Sequence, residues 1–280
     1  MSKLILHIGM PKTGTTALQH FLSRNTQRLD EIGTVYSGYG GPNHSHNFLA
    51  RLVHRENWVL VHRFISGLVE KEEKSKQFII SCGPLFAYST IKAKRRLDDD
   101  LLNRFQETER AAIEGLIGIV SQYFQSIQVI AYLRRQDKVL ESSYNQSIKN
   151  GTWHGSNISQ FGKYFRNSLE YDRIADIWSG VVGKENLLLR VYDRQKLLRN
   201  DIRTDFIAQL GIPDSTLSYD QSCSVTDDNL RLSRDAFEYK AILNRIKMPR
   251  WRKILHKQLL REVDSDMGGN LTIWQEFLSL

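Results

Sequence analysis

The residues most able to do chemistry stand near the start of the chain: Gly9, Met10, Pro11, Lys12, Thr13, Gly14, Thr15 and Thr16. Glycines let a backbone curl until successive N–H groups converge on one point. Thr13, Thr15 and Thr16 add hydroxyl donors, and Lys12 adds a full positive charge. Such a loop is a cradle for phosphate or sulfate. Gly9 and Gly14 have the spacing of a Walker loop, but Thr15 stands where that loop carries its lysine, and Lys12 lies inside the turn. A plain Gly-Thr turn with no ligand is the competing reading. It leaves a lysine inside the turn without a structural use.

The elements around this loop position it. Leu4-Ile5-Leu6-His7-Ile8 is an apolar run before the glycine, and Leu18, Phe21 and Leu22 recur at helical spacing after it. Strand, loop and helix follow directly, with the helix from Thr15 to Arg24. The unpaired N–H groups and positive dipole end of that helix would face the anion.

A second stretch points to another anion. Gln128–Leu133 reads as a strand ending in Arg134-Arg135, and Ser142 follows Arg134 by eight residues on the next helix. A strand-end guanidinium and a helix hydroxyl can converge on one phosphate. The plainer reading is a strand end whose arginines pair with carboxylates such as Asp137.

The Pro11-Lys12-Thr13-Gly14-Thr15-Thr16 order resembles the 5′-phosphosulfate loop of sulfotransferases that use 3′-phosphoadenosine-5′-phosphosulfate (PAPS). Leu133-Arg134 with Ser142 resembles the 3′-phosphate motif of the same family. Weaker likenesses lie at Leu169-Glu170-Tyr171, Trp178, Leu189–Asp193 and Asp228–Ser233. The resemblance implies a P-loop-type α/β fold, a parallel sheet flanked by helices with a helical C-terminal part. It also implies sulfuryl transfer from PAPS to a hydroxyl of a carbohydrate or glycolipid. Lys12 would be catalytic, and Pro11, Lys12, Thr13, Gly14, Thr15, Thr16, Arg134 and Ser142 would hold the donor. The family often has Asn-Pro after the arginine. Here Arg135-Gln136 stands instead, so either arginine could take the phosphate.

Relatives place a base just after the strand that here ends Ser81-Cys82-Gly83, where no acid or histidine stands. His44 and His46, in the Gly/Asn-rich stretch from Ser37 to Asn47, are the first candidates, because a loop histidine titrates near neutrality. A polar loop contact is the alternative role for both. His7 lies inside a strand and reads as a packed core histidine. Two other functions compete: a P-loop kinase or hydrolase, and a nucleotide-binding module without catalysis.

The rest of the chain sets bounds. Its 280 residues, 41% hydrophobic and 25% charged, suit one α/β domain over 1–280. A formal charge of +8 suits an anionic ligand. Basic runs at Lys92–Arg96 and Arg250–Lys253 could touch acidic lipid or glycan, though a solvated surface is the simpler account; no nucleic-acid motif joins them. Cys82 and Cys223 give neither a disulfide framework nor metal spacing, and no metal is needed where side chains meet the donor's charge. No apolar run approaches the roughly 20 residues of a membrane helix. A cytoplasmic protein is expected, with at most peripheral contact with a membrane surface. Further strands are expected at 78–82 and 186–192. Helices are expected over 58–74, 101–124, 137–149, 158–165, 171–182, 202–210, 229–246 and 251–263.

Overall fold

A computed structural model of the chain describes residues 2–37, 44–70, 77–88, 99–155, 157–219, 233–246 and 249. The basic runs at 92–96 and 250–253, Cys223, the 228–232 stretch and the expected helix over 251–263 lie outside these residues. So do residues 38–43 of the Gly/Asn-rich stretch and 71–76, which include the end of the helix expected over 58–74.

Among the described residues, five parallel strands form one sheet: β1 (Lys3–Gly9), β2 (Thr34–Val35), β3 (Gln77–Ser81), β4 (Ser126–Leu133) and β5 (Leu187–Val191). Their order is β2-β3-β1-β4-β5. β1 is central because it is apolar on both faces, as a strand covered on both sides must be. Leu4, Ile5, Leu6 and Ile8 are all buried. The register sets His7 beside Ser81 of β3 and Gly9 beside Tyr132 of β4.

Successive side chains point to opposite faces, so each face has its own core. Leu4, Leu6 and Ile8 pack with α3 (Phe48–Val53), α4 (Trp58–Glu70), α5 (Asp99–Val120) and α8 (Tyr171–Val182). Ile5 packs on the other face with α1 (Thr15–Arg24), α2 (Thr26–Glu31) and α9 (Ile202–Gln209). The remaining helices are α6 (Gln136–Lys149), α7 (Ile158–Phe165) and α10 (Arg234–Leu243). Strands alternating with covering helices give an α/β fold with a parallel sheet, as expected from the sequence.

The chain divides into two compact units. The first comprises 1–142 and 162–224 and holds the sheet; the second comprises 143–161 and 225–280. Within the second, the Tyr144 ring meets Phe161 at 5.5 Å and Phe237 at 5.7 Å, and the Asn244 amide donates to the Ile148 carbonyl at 2.9 Å. No helix among the described residues is long and apolar enough to cross a membrane.

Candidate functional site

The 9–16 loop leaves the carboxyl end of β1 and returns at once as α1. Met10 N–H donates to the Tyr132 carbonyl at 3.2 Å, which fastens the loop entrance to β4. A Cβ on Gly9 would lie 2.8 Å from that same carbonyl oxygen, so only glycine allows the two strands this approach. Lys12 (φ 69°) and Gly14 (φ 73°) both take left-handed backbone. Such reversals turn successive N–H groups into a concave anion nest. The α1 helix carries no side-chain cap at Gly14, so its first-turn N–H groups are left to a ligand or solvent.

The hydroxyls divide in role. Thr13 is buried and donates to the Met10 carbonyl at 2.7 Å, so it shapes the loop from within. Its oxygen also lies 3.4 Å from that of Thr15. Pro11 and Thr15 are half-buried, whereas Lys12 and Thr16 are exposed at the rim.

Arg134 follows β4, the strand beside β1. Its Nη1 donates to the Lys12 carbonyl at 3.2 Å. Arg135 turns away and forks onto Asp137, with Nε to Oδ1 at 2.6 Å. That contact holds the Asp137 carboxyl at about 2. The plainer sequence reading, pairing with a carboxylate, therefore holds for Arg135. Arg134 faces the loop, and Arg135 pairs with the neighbouring carboxylate. Ser142 is half-buried on α6 and makes no hydrogen bond to Arg134.

The Cys82-Gly83 corner after β3 reaches the same edge. A Cβ on Gly83 would sit 3.4 Å from Thr15. The Cys82 thiol is buried and pushed up to about 12 by that burial, so it stays a packed thiol.

Of the two candidate bases, the structure corrects one. His46 is fully buried. Its Nδ1 accepts from Ser81 N–H at 3.0 Å and its Nε2 donates to the Ser37 carbonyl at 2.6 Å. Burial lowers it to about 4, against the hydrogen bond to the Ser37 carbonyl that favours its charge. Both ring nitrogens are committed, so His46 cannot accept a proton from a ligand. His44 is exposed with φ 54°, its carbonyl held by the Tyr36 hydroxyl at 2.6 Å. Its ring stands edge-on to His20 of α1 at 5.9 Å. This ring contact places it beside α1.

Behind the loop lies a polar cluster that the sequence does not disclose. His7 Nδ1 meets the Ser81 hydroxyl at 2.8 Å, and the Gln19 amide donates to that hydroxyl at 3.1 Å and to the Ser81 carbonyl at 3.2 Å. Gln19 thereby ties α1 to β3. Tyr192, just after β5, stands in the weak likeness at Leu189–Asp193, which gives no sign of its place beside the loop. Its ring atoms would be 2.9 Å from a Cβ on Gly14, and its ring centre is 6.0 Å from the Arg134 guanidinium carbon. Only the strand order brings it there.

Gly14→Ala should test this packing. The new methyl meets the Tyr192 ring on a backbone that disfavours side chains, which should cost about 1–2 kcal/mol. A lowered melting temperature, with altered Tyr192 fluorescence or NMR signals, is the expected reading. An unchanged melt would mean that the ring is not seated on the loop.

Among the described residues, no group of three or more His, Cys, Asp or Glu side chains could hold a metal ion. No family model matches the chain, and no solved structure matches it. A stretch of 85 residues, 30% of this chain, is 32% identical to an uncharacterized protein of Archaeoglobus fulgidus. That stretch spans 22% of the relative's own length, too little to carry a family.

Proposed function

We propose that this chain is a sulfotransferase on a P-loop-type sheet, moving a sulfuryl group from PAPS to a hydroxyl of a carbohydrate or glycolipid. The observation that carries the reading is the hydrogen bond from Arg134 to the Lys12 carbonyl. The two cationic motifs lie at the ends of neighbouring strands, close enough for one bisphosphorylated nucleotide to engage both. The strand order adds support. After β1 the chain enters α1 on one face, and after β4 it enters α6, whose Val139 packs on the other. Ligands of open parallel sheets sit where the connections part in this way.

The donor fits the residues present: a nest with uncapped helix N–H groups, a rim lysine and a neighbouring arginine. It would supply the activated sulfuryl group. Lys12 and the first-turn N–H groups of α1 would stabilise charge on the departing 5′-phosphate. Arg134, with Ser142, would hold the 3′-phosphate. Transfer would form a bond from the acceptor oxygen to sulfur and break the bond from sulfur to the 5′-phosphate oxygen, with the desulfated nucleotide as leaving group. The acceptor proton passes to a base, for which His44 is the exposed candidate. The acceptor class rests on the sequence resemblance and the net positive charge of the chain.

A kinase or hydrolase reading is weakened by Thr15, which stands at the Walker lysine position with its hydroxyl turned to Thr13. A binding module without catalysis remains the non-enzyme alternative. Thermal shift separates the nucleotides: 3′-phosphoadenosine-5′-phosphate should stabilise the chain, and ATP with magnesium should not. The reverse result would favour the kinase. Transfer of labelled sulfate from PAPS to a glycan panel tests catalysis. Nucleotide binding without transfer would leave the module.

A further inference from the structure

Resting on that reading, we infer that Tyr171 is the positioning residue for Arg134, and that α8 acts as the brace of the nucleotide site. The Tyr171 hydroxyl donates to the Arg134 carbonyl at 2.9 Å. This carbonyl lies in the turn between β4 and α6, past the last residue of the strand. Tyr171 supplies from another helix the partner this half-buried backbone group needs. Burial raises the hydroxyl to about 12, despite the opposing charge of Arg134, so it remains a donor at any working pH.

The same helix fixes the opposite side of the crevice. Phe86, in the 3-10 turn Gly83–Phe86 after β3, packs edge-on to the Tyr171 ring at 6.3 Å. Two turns along α8, the Trp178 indole N–H donates to the Phe86 carbonyl at 3.3 Å. One rigid element therefore holds the backbone after β4 and the backbone after β3, the two strands flanking β1. A second, longer contact, Gln136 Nε2 to the Leu169 carbonyl at 3.4 Å, ties the start of α6 to the segment before α8. With its backbone held from one side, Arg134 can keep its guanidinium between Lys12 and the Tyr192 ring.

The prediction is that Tyr171 matters to ligands that use Arg134 and not to ligands that do not. Affinities of the full chain for 3′-phosphoadenosine-5′-phosphate and for 5′-AMP separate the cases, because only the first carries the 3′-phosphate. The wild-type chain should prefer the bisphosphate, and Arg134→Ala should abolish the preference. Tyr171→Phe keeps the ring and loses one hydrogen bond. It should weaken bisphosphate binding roughly fivefold, leave 5′-AMP within about twofold and melt within a few degrees of wild type. Adding it to Arg134→Ala should cause no further loss. Equal weakening of both ligands, no weakening of the first, or additive losses in the double variant would overturn the assignment. If the wild type shows no preference for the bisphosphate, the sulfotransferase reading fails and this inference fails with it. If the preference exists and survives Tyr171→Phe, this inference alone fails.

Discussion

Stability should fall by about 4 kcal/mol between pH 7.5 and pH 5, with nearly two protons taken up on unfolding. The protons belong to His7 and His46. Burial lowers His7 to about 3 and His46 to about 4 in the folded chain. Both return to about 6.5 when unfolded. The unfolded chain thus binds protons that the native state refuses. This stability is fully present above about pH 6.5 and drains away as pH falls through the unfolded value towards the folded ones. Asp205 acts lower. Burial raises its pKa, but hydrogen bonds from Arg190 and Tyr132 outweigh that and depress it. Its contribution is lost only below about pH 4. Since domains are stable by about 5–15 kcal/mol, acid unfolding should begin near pH 5. Urea titrations at stepped pH give the slope directly. His46→Gln should reduce it to about one proton, and a flat profile from pH 7 to 5 would show that the buried rings do not control it.

On the proposed function, Lys12→Ala should slow sulfuryl transfer roughly a hundredfold, or about 3 kcal/mol of transition-state stabilisation. The nest N–H groups survive the change, so nucleotide affinity should fall by much less. A rate loss larger than the binding loss identifies an interaction made mainly in the transition state. Single-turnover transfer of labelled sulfate, beside the dissociation constant of 3′-phosphoadenosine-5′-phosphate, measures both. Unchanged transfer would remove Lys12 from the chemistry. Equal losses would reduce it to a binding residue.

Local pattern made much of this architecture legible. Helix α1 runs from Thr15 to Arg24 and α8 from Tyr171 to Val182, with the bounds read from apolar spacing. The strands lie within two residues of their expected ends, because Gly9 and the Gly83-Pro84 pair interrupt apolar runs. Helix α2 was not foreseen; its six residues are too few for a periodic signal. The candidate loop and its neighbouring arginine were legible where glycines, lysine and arginine carry local meaning. Tyr171 and Tyr192 showed only as parts of weak family likenesses; their contacts, like that of Gln19 with Ser81, were not legible, since each depends on which elements become neighbours. His46 misled for the same reason. Its sequence surroundings are polar, while its ring is buried against Ser81 and Ser37.

The central place of β1 has a consequence for biosynthesis. Of the five described strands this one is synthesised first, yet its two partners pair with it through Gln77 and Ser126 onward. At about 5–20 residues per second, the second partner emerges on the order of ten seconds later. Until then a greasy ribbon with two open edges waits among nascent polypeptide. Ribosome-associated holding factors should therefore engage the segment that carries β1 early, and translation pauses before residue 126 should raise its tendency to aggregate.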